Sequence, residues 1–134
     1  MIVADTNLIA YFLLDGEFTS QAEAVYQKDA DWFIPYLWRS EFRSILALYL
    51  QKKLIALDEA KEIMNQAELL LLEKEREVES DVVFDLVSTS GLSAYDCEYI
   101  ALAKELNIPL VTSDRKILKA FEQIALSPSD FLNQ

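Results

Sequence analysis

Histidine is missing from this 134-residue chain, and cysteine occurs once, as Cys97. Without histidine, Ser-His-Asp and Cys-His catalysis and His-ligated zinc are excluded. A single thiol permits no internal disulfide and fits a reducing, cytoplasmic location. Two glycines and three prolines leave no linker-like stretch, and no repeat or low-complexity tract is evident. The phosphate-cradling patterns GxxxxGK[ST] and GxGxxG are absent. No apolar run approaches the ~20 residues that span a bilayer. The first 14 residues are fairly apolar but carry Asp5 and no basic lead-in, so neither a signal peptide nor a membrane partner is expected. Basic residues are also scarce. Twelve Lys and Arg against 23 Asp and Glu give a net charge of −11, which argues against a polyanion binder held by a basic surface. An enzyme acting on RNA remains compatible with that charge, because bound cations and a local basic patch offset the repulsion.

What remains is rich in core-forming residues: 52% hydrophobic and 11% aromatic. A chain of this size forms one domain, residues 1–134, able to bury roughly 68% of its unfolded surface. Apolar runs at Met1–Ala4, Trp32–Pro35 and Pro109–Thr112 read as strands, with Ile124–Leu126 a fourth candidate. Between them lie helical patterns: Leu8–Leu14 as a turn or helix, a helix from Thr19 or Ser20 to about Lys28, and an amphipathic helix from Tyr36 to about Lys53. Further helices start at Asp58, continuing toward "EKEREV", at Ser80 or Asp81 and closing near Gly91, and at Ser93. In the last of these, Tyr95, Tyr99, Leu102 and Leu106 form an apolar stripe. A helix follows Asp114, and "SPSDFL" makes a closing helical turn. Alternating strands and helices indicate an α/β fold with a mainly parallel central sheet. Such sheets carry their sites outside the carboxyl ends of the strands.

Two strands end in an acid there: "IVAD" in Asp5 and "LVTSD" in Asp114. Each could simply cap the following helix. Glu41 is set differently. At 100° per residue, Leu37, Ile45 and Leu48 lie within about 40° of it, so the carboxylate should lose solvation unless it reaches water or a partner. Asp96, in "SAYD", has the spacing of a capping box and could serve as a cap alone. Four such acids converging on one cleft would have to hold protons or bind cations. Oxygen ligands without His or Cys favour Mg2+ or Mn2+, while Thr6, Asn7, Thr112 and Ser113 offer supporting oxygens and hydrogen bonds. That assembly suits metal-assisted phosphodiester hydrolysis, which needs no histidine.

The segments "IVADTNLIAYFL", "SEF" around Glu41, "GLSAYDCEYIALAKEL" and "IPLVTSDRKIL" resemble, in order and spacing, the PIN-domain family, particularly VapC-like toxins of toxin–antitoxin pairs. The resemblance covers essentially the whole chain. It implies a three-layer α/β/α fold and Mg2+- or Mn2+-dependent endoribonuclease activity. It further implies an acidic metal-site quartet of Asp5, Glu41, Asp96 and Asp114, a homodimer, and a cognate antitoxin in the active-site groove. An alternative is a PIN-like RNA- or protein-binding component of a processing assembly without turnover of its own.

Arg115, Lys116 and Lys119 are placed to meet substrate phosphates, or form ordinary helix surface. Arg39 and Arg43 lie opposite Glu41 and are expected to face solvent, a dimer mate or a partner. Cys97 is expected in the core. Trp32, Tyr36, Trp38 and Phe42 read as core or dimer packing rather than a base-stacking platform, and "EKERE" as a solvated helix face.

Overall fold

The computed structural model describes all 134 residues. Its five strands are β1 (Ile2–Ala4), β2 (Trp32–Pro35), β3 (Glu75–Arg76), β4 (Leu110–Val111) and β5 (Ala125–Leu126). Eight helices alternate with them: α1 (Thr6–Leu13), α2 (Thr19–Lys28), α3 (Trp38–Gln51), α4 (Leu57–Leu70), α5 (Ser80–Ser90), α6 (Ala94–Leu106), α7 (Arg115–Ala120) and α8 (Pro128–Leu132). The strands form one sheet in the order β3-β2-β1-β4-β5, and every pairing is parallel. This is the expected three-layer α/β/α arrangement. Parallel strands covered on both faces are apolar throughout, and β1, β2 and β4 are buried at every position.

From β1 the chain steps outward to β2 and β3, then returns to β4 on the other side of β1. The order therefore reverses between β1 and β4, and a crevice forms outside the carboxyl ends of the strands at such a reversal. Register fixes what meets there. Ala4 is level with Val111, so Asp5 and Thr112 leave the sheet together.

Helix α6 packs against β1, β2 and β4 and carries α5, while α1 packs with α2, α3 and α4. Thirty buried residues form one apolar cluster. Ser93 caps α6 through Asp96 N–H, and Ser127 caps α8 through Asp130 N–H. Gly91 ends α5 at φ 72°, a left-handed conformation that favours glycine. Thr19 is the first residue of α2 rather than its cap. Its hydroxyl accepts from Gly16 N–H and donates to Leu14 O, both at 3.0 Å, closing the preceding turn.

Several expectations need correction. "EKERE" is not a helix face: α4 ends at Leu70, Glu73 takes a positive φ of 66°, and Glu75–Arg76 becomes an edge strand beside β2. Arg39 is not turned to solvent or a partner. Its guanidinium grips Glu75 with Nε to Oε2 at 2.7 Å and a second nitrogen to Oε1 at 2.9 Å, and reaches Glu68 at 2.7 Å. Trp38 Nε1 donates to the same Glu75 at 2.7 Å. Two carboxylates within reach of one planar fork outcompete hydration of the guanidinium, and they tie α3 to α4 and β3. Trp32, Trp38 and Phe42 are core residues as expected, whereas Tyr36 is 51% exposed. Tyr95 also leaves the expected stripe: it is 62% exposed in the first turn of α6, while Tyr99 and Leu102 are buried.

Candidate active site

Three elements bring acids to the reversal point. Asp5 follows β1 and caps α1, its Oδ1 accepting from Asn7 N–H at 3.3 Å. Glu41 stands in the first turn of α3, the helix after β2. Asp114 follows β4 and caps α7, its Oδ1 accepting from Lys116 N–H at 2.8 Å and Ile117 N–H at 3.2 Å. The capping and site readings of Asp5 and Asp114 are therefore not exclusive, since in each case the cap engages only one carboxylate oxygen.

Thr112 joins the two strand-end acids. Its hydroxyl donates to Asp5 Oδ2 at 2.5 Å and accepts from Asp114 N–H at 3.0 Å. Burial pushes the Asp5 carboxyl above its usual range. The Thr112 and Asn7 hydrogen bonds work against that rise, and the charges of Glu41 and Asp114 add to it. No lysine or arginine forms an ion pair with any of these three acids.

Glu41 lies beside the core rather than within it. The buried face of α3 is Trp38, Phe42 and Leu46, centred about 100° round the helix from Glu41. Ile45 is half-buried and Leu48 is 47% exposed. These residues, with Asp5, Thr6, Asn7, Ser44, Ala47 and Gln51, line an open cleft of about 520 Å³. Glu41 Oε1 accepts from Thr6 Oγ1 at 2.9 Å and from Tyr99 OH at 2.5 Å, and the two hydroxyls also touch each other. Burial, then the charge and hydrogen bond of Glu41, hold the Tyr99 phenol well above its ordinary pKa. The phenol therefore stays neutral and donates.

Sequence reasoning missed Tyr99 as a site residue because tyrosine in a helical stripe reads as core. Glu98 was missed as well. Burial and the charge of Glu41 raise its carboxyl, and nothing in its spacing signals that proximity. Asp96 sits in the first turn of α6, where its N–H donates to the Ser93 hydroxyl at 3.0 Å. Its charge acts on neighbouring Cys97, whose buried thiol is raised mainly by desolvation. Thr6 and Thr112 are buried and bonded to acids, whereas Asn7 contributes its backbone N–H and Ser113 is exposed. Arg115, Lys116 and Lys119 are exposed on α7 and do not line the cleft.

The donor set is all oxygen, and its accumulated negative charge suits a hard divalent cation. As the side chains stand, no three acids are grouped tightly enough to enclose one ion. A second groove of about 470 Å³, between α5 and α6, is lined by none of the acids at the sheet edge.

A parallel five-stranded sheet between helix layers, with acids gathered at its reversal point, defines an α/β/α domain with a carboxylate site. The PIN-domain family model matches residues 2–124, and the chain belongs to that family. Among solved structures, FitAcB from Neisseria gonorrhoeae is similar in fold, with a TM-score of 0.72. That likeness covers 96% of this chain and 99% of the other at 19% sequence identity. No curated protein matches the sequence.

Proposed function

We propose that this PIN domain, as a single unit of residues 1–134, is a Mg2+- or Mn2+-dependent endoribonuclease and the toxin of a toxin–antitoxin pair. The observation that carries the reading is that the charges of Glu41 and Asp114, carried on two other elements, both act on Asp5 at the sheet edge, while no basic residue is ion-paired to any of the three. Asp96, at the start of α6, completes the proposed quartet. When bound, the cation would supply Lewis-acid stabilisation of phosphate charge and an acidified water. The chain's own part is to aim the carboxylates. Thr112 and the Asn7 N–H hold Asp5, and Thr6 and Tyr99 hold Glu41. Ser113 lies next to Asp114 as a further oxygen at the crevice mouth.

RNA is the proposed substrate, with Arg115, Lys116 and Lys119 meeting phosphates beyond the cleft. A cognate antitoxin and a homodimer belong to the same reading and rest on the VapC-like resemblance, and a cytoplasmic setting rests on the single cysteine. No helix is long and apolar enough to cross a membrane.

One observation favours a second reading, a PIN component that binds RNA or protein without turnover: no three of the acids are grouped tightly enough to enclose one ion. Calorimetric titration of Mn2+, beside Asp5→Asn and Asp114→Asn, followed by cleavage assays on a panel of single-stranded RNAs, separates the readings. The nuclease reading expects saturable binding lost in both variants, together with metal-dependent cleavage. Binding without cleavage of any RNA favours the second reading. No binding in the wild type, with RNA also present, overturns the metal site.

A further inference from the structure

Of the groups at the crevice, Glu41 has the least symmetrical surroundings. Both hydroxyls that reach it, Tyr99 and Thr6, converge on the same oxygen, Oε1: the phenol donates to it, and the single Thr6 proton is shared between Oε1 and the phenol oxygen. Oε2 accepts from no protein donor, and no buried side-chain oxygen is left without a partner, so Oε2 opens to solvent. The two donors lie 93 positions apart in sequence: Thr6 begins α1, and Tyr99 lies in the second turn of α6. Tyr99 is 4% exposed, with its ring in the core cluster. Its phenol is therefore anchored by packing rather than by the acid it touches. A carboxylate on a half-exposed helix turn otherwise samples several rotamers, and ordering it upon binding would cost affinity.

We propose that Tyr99 is a positioning residue that, with Thr6, occupies Glu41 Oε1 and leaves Oε2 alone to face a divalent cation. Glu41 is thereby a one-oxygen ligand of fixed orientation. The role rests on the metal-site reading above and adds to it a residue on the helix next to Asp96.

Tyr99→Phe keeps the ring and deletes the donor. The test is Mn2+ calorimetry on the full chain together with thermal unfolding. Tyr95→Phe, an exposed tyrosine on the same helix, serves as the control. Loss of a ligand-orienting hydrogen bond weakens metal binding by about 10- to 100-fold. The expected result is therefore a Kd raised by that factor in Tyr99→Phe, with Tyr95→Phe unchanged and both variants folded. Thr6→Val removes the other donor to the same oxygen and should weaken binding in the same direction. It also carries the test should Tyr99→Phe fail to fold. If the wild type binds Mn2+ and Asp5→Asn does not, while Tyr99→Phe and Thr6→Val bind like the wild type, the metal site stands and the positioning role is overturned. If the folded wild type binds no Mn2+, the site reading falls and this role falls with it.

Discussion

The hydroxyl of Thr112 donates to Asp5 across 107 positions of sequence, because β4 runs level with β1 and both chains leave the sheet at the same edge. The bond is the main hydrogen-bonding influence that keeps Asp5 ionisable despite its burial. Burial still wins, and this has a measurable sign. Between the ordinary value of 3.8 and the raised one, the folded protein keeps a proton that the unfolded chain has released. Stability therefore falls as pH rises through that window.

Asp5→Asn should accordingly be more stable than the wild type at pH 7 in the presence of EDTA, by about 1 kcal/mol, with Tm a few degrees higher. The advantage should vanish below pH 3.8, where both side chains are neutral. Urea unfolding at the two pH values checks this. A variant less stable than the wild type at pH 7 would contradict the sign.

Asp114 caps α7 and, on the proposed metal-site reading, has a second and separable duty as a ligand. Asparagine caps a helix as well as aspartate does, whereas alanine costs about 1 kcal/mol at such a position. Asp114→Asn and Asp114→Ala should therefore lose Mn2+ binding alike, while only the alanine variant unfolds earlier. Equal stability of the two would show that the bonds to Lys116 and Ile117 N–H contribute little.

Arg39 is a fastening between α3 and the edge strand. Arg39→Ala strands Glu75 with only the Trp38 donor. After discounting for a guanidinium about one-third exposed, the cost is about 1–2 kcal/mol. The hydrogen bond to Arg39 lowers the Glu75 carboxyl below its ordinary 4.5. This stabilisation is present above 4.5 and is lost as pH falls through the lowered value. The gap between wild type and variant should thus narrow in acid, as chemical unfolding at pH 7 and pH 3 would register.

Cys97 is fully buried and free, and burial raises its thiol. Under native conditions it should resist a disulfide reagent such as DTNB and react at once in denaturant. Rapid native labelling would mean that the α5–α6 pair opens readily.

Much of this was legible in the sequence, for identifiable reasons. Asp5 and Asp114 stand out because each closes an apolar run, and parallel topology then fixes which edge they share. Ser93 and Gly91 act through local rules and were readable at their own positions. The two-residue strand β3 was not: Glu75 and Arg76 show no apolar alternation, and their strand state comes from pairing with Ile34 and Pro35 at distance. The surroundings of Glu41 were misread for a related reason. Helical spacing correctly grouped it with Ile45 and Leu48, but only packing decides whether such a face meets the core or a cleft. Tyr99 was hidden because its ring obeys the hydrophobic pattern while its oxygen does the chemistry.

The strand order also carries a timetable. In synthesis the chain emerges from its N-terminus, and folding begins on what has already appeared. β1 comes first yet needs β4 to complete its second edge, and Asp5 must wait for Thr112 and Asp114 to be made. A nascent or prematurely terminated chain that stops before Leu110 thus holds Asp5, Glu41 and Asp96 without the segment that joins the crevice. On the nuclease reading proposed above, a chain cut short there lacks Asp114, one of the four acids the reaction is proposed to need.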